Sequence, residues 1–399
     1  MRRPDPTAPA KRPRDPRIDA FRGLALVMIF VDHVPGNPYE HFTLRNFGFS
    51  DAAESFFVMS GIAAGLAYSG RFLPGALARD GLWAAVRPVW GRAWTLYLSQ
   101  LFLTVWAIAI FAWGASTFDL PGLLTKINLR QVFENTGAAL VGIPALTHQL
   151  GYVNILPAYS VLLLCTPLAL VIGLRRPLAL AALAAGLWFA AGLWRLNLPN
   201  YPNPGGWFFN PLAWQAVFVT GLLIGLRLRE GARLVPVSRR LFWLAVGYLV
   251  LVIAWMKIDP LGHWLNHQLS LLGKAGAPFH LISHDKTFLA LPRLLHVLAM
   301  VYVISCLPAV TAAAASALAA PLRLMGRQGL LVFCTGTLIS LAFQVAMAAR
   351  PGEAWLAWGL PPLGIAGMLA AAALGDAARA RRRPQAAAAG ATPHGIAAE

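Results

Sequence analysis

The chain has 399 residues, of which 58% are hydrophobic and only 12% charged, and its mean hydropathy is +0.60. That balance excludes a water-soluble domain and defines a polytopic membrane protein. The formal charge of +17 does not indicate nucleic acid, because the arginines fall in short clusters between apolar runs and no recognition motif accompanies them.

Residues 1–16, MRRPDPTAPAKRPRDP, hold too little apolar surface for a core and are expected to form a disordered cytoplasmic tail. A basic start before an apolar run mimics a secretory signal. Asp32-His33 interrupts that run and no small-residue cleavage site follows, so the segment is expected to stay as a membrane helix. Spanning a ~30 Å hydrocarbon core takes about 20 apolar residues. Candidate runs lie at 18–35, 52–69, 93–113, 153–174, 177–195, 211–228, 240–256, 289–309, 329–348 and 354–375. They predict an all-α bundle of about ten transmembrane helices in one domain, 17–375. The apolar piece at 138–147, inside the connection 115–151, is too short to cross and is expected to be interfacial or re-entrant. The alanine-rich stretch 376–399 reads as a second disordered cytoplasmic tail.

Basic residues set the expected orientation. With the amino terminus inside, 23 of the 33 Lys and Arg lie on the cytoplasmic side and eight outside, so both termini are expected in the cytoplasm. Cys165, Cys306 and Cys334 sit in apolar runs without metal-ligand or CxxC spacing and read as reduced packing residues; no metal site is expected.

Ionisable groups inside apolar segments are costly and are functional candidates by default. Asp19, Arg22, Asp32 and His33 bracket the first run, while Asp51 and Glu54 open the second. Eleven residues separate Arg22 from His33, which puts them on one helical face about 16 Å apart along the axis. With the predicted topology, His33, Asp51, Glu54, Asn154, Tyr159, Asn210, Gln215, Asp285, Lys286 and His296 all fall in the outward halves of their helices. Such convergence predicts a reaction chamber.

His33 has the proton affinity of a general base for hydroxyl-to-acyl transfer, and Asp51 or Glu54 is a candidate to orient its ring. The competing reading is that His33 only hydrogen-bonds near the interface. Asp19 and Arg22, at i,i+3, read equally as a neutralising pair. Arg293 and His296 share a helix face, and Asp285-Lys286 just before them is placed to cap the helix or to meet substrate. Trp194, Trp207, Trp214, Trp255 and Trp264 cluster toward the outer boundary, as an aromatic belt does; Trp207 and Trp214 are also candidates for stacking on sugar rings.

Arg22-x10-His33, followed by Phe56-Phe57-Val58-Met59-Ser60-Gly61, resembles the membrane acyltransferases of the acyltransferase-3 superfamily. Arg17-Ile18-Asp19-Ala20-Phe21-Arg22-Gly23, Asn154-Ile155-Leu156-Pro157-Ala158-Tyr159, Phe209-Asn210-Pro211-Leu212-Ala213-Trp214-Gln215, Asp285-Lys286 with Arg293-Leu294-Leu295-His296, and Gly326-Arg327-Gln328-Gly329 with Phe333-Cys334 resemble, more narrowly, its OpgC branch. That resemblance implies O-acyl transfer, of succinyl in the closer branch, from a cytoplasmic acyl-coenzyme A to a periplasmic glucan. It implies no tightly bound cofactor. Arg22, with Asp19 beside it, would then hold the donor, His33 would act as base, and the remaining polar residues, Trp214 included, would meet the acceptor. The alternative from another class is a transporter of a small anion or glycan, which would leave its substrate chemically unchanged. No Ser or Cys stands in a nucleophile elbow, so transfer is expected to be direct.

Overall fold

The computed structural model describes residues 15–389, with side chains through residue 381. The elements in chain order are α1 (Pro16–Asp32), α2 (Ala52–Tyr68), α3 (Pro74–Thr117), α4 (Arg130–Glu134), α5 (Thr136–Gly142), α6 (Ile155–Arg175), α7 (Pro177–Leu193) and α8 (Pro211–Glu230). They continue with α9 (Arg239–Lys257), α10 (Asp259–Lys274), α11 (Phe279–Ile282), α12 (Leu291–Cys306), α13 (Pro308–Ala315), α14 (Ala320–Arg327), α15 (Gly329–Ala349) and α16 (Ala354–Ala389). Among the described residues the only β feature is an isolated bridge between Pro199 and Gly206.

Each of the ten apolar runs is helical, but they do not all have the length to cross. Six helices, α3, α6, α8, α9, α15 and α16, are long and apolar enough; α12 and α13, bent by 80° between them, make a seventh if taken as one span. The expected ten spans therefore reduce to six or seven by length and composition. The shortfall has a local cause. α1, α2 and α7 have 17 residues each, about 25 Å of rise, and polar residues trim the first two. α1 stops at His33, and the Asp51 side chain starts α2 through a capping box with Glu54.

Other connections also differ from the expectation. The basic stretch after α2 is the first part of α3, entered at Pro74 and broken at Gly81, whose φ of 80° is left-handed. Residues 121–142 form a 3-10 turn and two helices of five and seven residues, none of which crosses. α16 continues beyond 375, so residues 376–389 are helical; Asp376 there accepts from Gln328 at 3.3 Å and pairs with Arg327 at 3.7 Å. The tail expectations for 1–14 and 390–399 lie outside the described residues.

Glycines fix the two helices that carry the polar ends. A Cβ at Gly61 would strike the Phe218 carbonyl oxygen, and one at Gly221 would strike that of Val58, so α2 and α8 cross backbone against backbone. In the same way Gly23 meets Leu322 and Gly326 meets Asp19 where α1 crosses α14. Small residues at a crossing allow the close van der Waals approach that holds helices together in lipid. Around this frame Phe30, Phe57, Trp214 and Phe218 are fully buried. α9 instead exposes Trp243, Leu244, Val250 and Ile253, as a lipid-facing helix does.

Candidate active site and its two polar ends

α2 joins two polar regions, one at its amino-terminal end and one along the rest of its length. At its amino-terminal end, Asp51 accepts from the Ala53 amide at 2.8 Å, and the Glu54 carboxylate accepts from the Asp51 amide at 2.8 Å. The side-chain carboxylates of this capping box meet two cations from the far side of the sequence. Lys286 Nζ binds Asp51 Oδ2, Arg293 Nε donates to Glu54 Oε1 at 2.8 Å, and Arg293 Nη2 reaches Asp51 at 3.4 Å. Glu54 is wholly buried and the Arg293 side chain is 11% exposed. The four charges balance, which is what keeps them tolerable away from water. Burial disfavours the ionised form of Asp51, but Lys286 and Arg293 more than offset this and hold its carboxyl well below the usual carboxylate range.

His33 stands beside this cluster at the end of α1. Its ring lies 4.5 Å from the Tyr152 ring, and its backbone carbonyl accepts from Gln344 at 2.8 Å. A neutral imidazole there has a lone pair for a proton. Among the described residues neither Asp51 nor Glu54 hydrogen-bonds the ring. Tyr152 itself is in left-handed backbone, φ 67°, a strained conformation for a bulky residue. His296 is buried, with Nδ1 2.6 Å from Ser50 Oγ. Asp32 accepts from Thr43 at 2.7 Å and lies 3.7 Å from Arg45.

An open cavity of about 420 Å³ adjoins the cluster and is lined by Arg45, Phe49, Asp51, Trp255, Asn266, His284 and Arg293 among others. His284 stacks on Phe49 at 4.1 Å between ring centres, and its buried Nε2 has no hydrogen-bond partner. Burial, then the Arg293 charge, lowers its pKa.

The second polar region is a pocket of about 180 Å³ along the opposite end of α2. Phe56, Ser60, Ala63, Ala64, Ala67 and Tyr68 form one wall, while Arg22, Arg92, Arg327 and Tyr159 contribute from other helices. Arg22 donates to the Gly326 carbonyl at 3.4 Å and to the Met59 carbonyl at 3.3 Å, and Asp19 is buried one turn before it. The wall on α2 from Phe56 to Tyr68 runs about 18 Å along the helix. Its upper end is two residues from Glu54.

The predicted substrate residues therefore separate. Lys286 and Arg293 are in the charged cluster, His296 beside it, and Tyr159 in the arginine-lined pocket rather than with them. Asn210 caps α8, accepting from Leu212 N at 3.1 Å and donating to the Leu196 carbonyl at 2.7 Å. Gln215 donates to the Ala184 carbonyl at 2.7 Å, and the Trp214 indole to the Lys286 carbonyl at 2.9 Å. All three are buried. Trp214 and Trp207 thus offer no face to a sugar; Trp214 instead anchors the loop that presents Lys286. Asp285 accepts from Phe288 N at 2.7 Å and shapes that loop, and Asn154 stands at the N-cap of α6 without a capping side-chain bond. Tyr152, Arg92, Trp255 and His284 were not among the sequence candidates. Arg92 counted there only as topology-setting charge, Arg327 also as part of the Gly326-Arg327-Gln328-Gly329 stretch, and Trp255 as one of the outer tryptophans; Tyr152 and His284 carry no motif of their own.

These helices and polar ends define a helical multi-pass membrane protein with a buried, charge-balanced cluster and an arginine-lined pocket on one helix pair. The chain belongs to the OpgC family: the OpgC protein family matches residues 14–380. No curated protein and no solved structure matches it.

Proposed function

We propose that the protein is an integral-membrane O-acyltransferase of the bacterial inner membrane that moves a succinyl group from cytoplasmic acyl-coenzyme A to a hydroxyl of a periplasmic glucan. Both termini are cytoplasmic in this reading, and the 17-residue helices α1, α2 and α7 also cross, shielded by their neighbours, to complete ten spans. The observation that carries the proposal is the pairing of two chemically different ends on α1 and α2 in a member of the OpgC family. Three arginines line the inner pocket, and guanidinium groups suit phosphate. Small side chains on α2 line the pocket from there toward Phe56, the path along which a pantetheine arm would lie.

At the outer end His33 accepts the proton of the acceptor hydroxyl as its oxygen attacks the thioester carbonyl carbon. The C–O bond forms, the C–S bond breaks, and the proton passes from His33 to the departing thiolate. Asp51, in the adjoining cluster, stabilises the imidazolium formed on the way through its negative charge. Glu54 fixes Asp51 through the capping box, and Lys286 and Arg293 hold both carboxylates in place while keeping the cluster neutral. The test is mass spectrometry of envelope glycans from cells with and without the protein. A mass increase of one succinyl group per modified site is expected; unchanged glycan masses overturn the assignment and leave transport as the reading.

A further inference from the structure

Resting on the acyltransferase reading, the open cavity beside the cluster raises a separate question, namely which part of the chain holds the acceptor. Asn210 and Trp214 are buried with their side-chain donors and acceptors used within the protein, and the Gln215 amide nitrogen is likewise taken up by backbone carbonyls. The cavity of about 420 Å³ is open, and its size lies within the range of about 300–1,000 Å³ usual for small-molecule sites. Its walls come from five places in the sequence: the segment 45–51 that leads into α2, the end of α9, α10, His284 in the connection after α11, and Arg293 on α12.

The chemistry of those walls is specific. Phe49 and Trp255 supply aromatic surface, their rings 5.2 Å apart and close to perpendicular, and Trp255 Nε1 donates to Asn266 Oδ1 at 3.1 Å. That bond ties α10 to α9 and sets the indole in position. The cations are already compensated, Arg293 by Glu54 and Asp51 and Arg45 by Glu40 at 3.1 Å and Asp32 at 3.7 Å. A site for an anion would keep positive charge in excess. Here the balance leaves aromatic faces interspersed with planar donors, an amide and an imidazole nitrogen without a partner. An uncharged ring with hydroxyls at its edge and C–H groups on its faces matches both features. Asp51 belongs to the cavity and to the charged cluster alike, so a sugar seated there would have its edge beside the proposed chemistry.

We infer that this cavity is the acceptor subsite, taking a neutral hexose unit of the glucan, with Trp255 as its stacking surface and Asn266 as the residue that positions Trp255. The experiment uses the full-length protein in detergent and a tritiated neutral gluco-oligosaccharide in equilibrium dialysis, together with KM values for oligosaccharide and acyl-coenzyme A. Trp255→Ala is expected to weaken oligosaccharide binding and to raise its KM by about tenfold, on the scale of a lost aromatic contact, with the KM for the donor unchanged. Trp255→Phe should restore most of the binding, and Asn266→Ala should fall between them. Melting curves show that each variant is folded. If the wild type binds and acylates the oligosaccharide while Trp255→Ala matches it in both, the subsite is elsewhere and the acyltransferase reading stands. If the wild type neither binds nor acylates it, that reading fails and the subsite with it.

Discussion

Replacing Arg293 by Met should destabilise the protein far more than the loss of one contact. Glu54 is wholly buried, and Arg293 is its principal counter-charge, at 2.7 Å, with the Arg293 side chain itself 11% exposed. Removing one member of a buried pair strands the other, at a cost of about 3–5 kcal/mol. At about 2 °C per kcal/mol for a chain of this size, the melting transition should fall by roughly 6–10 °C. The second half of the prediction isolates the cause. Arg293→Met combined with Glu54→Gln removes both charges, and the glutamine can still accept from the Asp51 amide, so most of the loss should return. About 1 kcal/mol should remain, the net worth of a hydrogen bond. Intrinsic fluorescence melting of wild type, both single variants and the double variant in one detergent gives the cycle. The reasoning is refuted if Arg293→Met melts within about 1 °C of wild type, or if the double variant is no more stable than it.

His33→Ala should lower acylation by about 10²–10⁴ with an unchanged melting temperature; near-wild-type turnover would remove His33 from the chemistry. Arg22→Ala and Arg92→Ala should each raise the KM for acyl-coenzyme A while turnover at saturating donor is largely kept, since phosphate contacts are alike in ground and transition states; an unchanged donor KM in both would detach the inner pocket from the donor. Gly61→Leu should cost at least the about 1–3 kcal/mol of core overpacking, because the obstacle is backbone, whereas Gly247→Ala, with open space around it, should be neutral or slightly stabilising. Equal melting temperatures for the two would contradict the α2–α8 packing.

Position along a helix was readable from the chain, and rotation about it was not. Hydropathy located all ten helical runs, and polar residues at their ends marked His33, Asp51, Glu54 and Lys286 as neighbours, while Arg293 was tied only to His296 on its own helix face. Asn210, Gln215 and Trp214 carry the same signal, a polar or amphipathic group at a helix end, yet they cap and anchor. Only their buried partners, Leu196, Ala184 and Lys286, distinguish the two cases, and those partners are distant in sequence. Tyr159 went to the inner pocket for a similar reason. α10 escaped the hydropathy criterion because His263, Asn266, His267 and Gln268 interrupt its apolar side, and with it went Asn266 and the wall it forms. At α1 the apolar run continues to residue 35 while the helix ends at His33, which hydropathy does not reveal; at α2 the run and the helix begin together after Asp51.

The central claim is that the donor is taken at one face of the membrane and the acyl group delivered at the other. Proteoliposomes of known orientation test it directly, with acyl-coenzyme A and a neutral gluco-oligosaccharide each confined to one side. Acylation is expected only with the thioester on the side of Arg22, Arg92 and Arg327 and the oligosaccharide on the side of His33 and Asp51. Equal acylation with both substrates confined to one side would contradict the account.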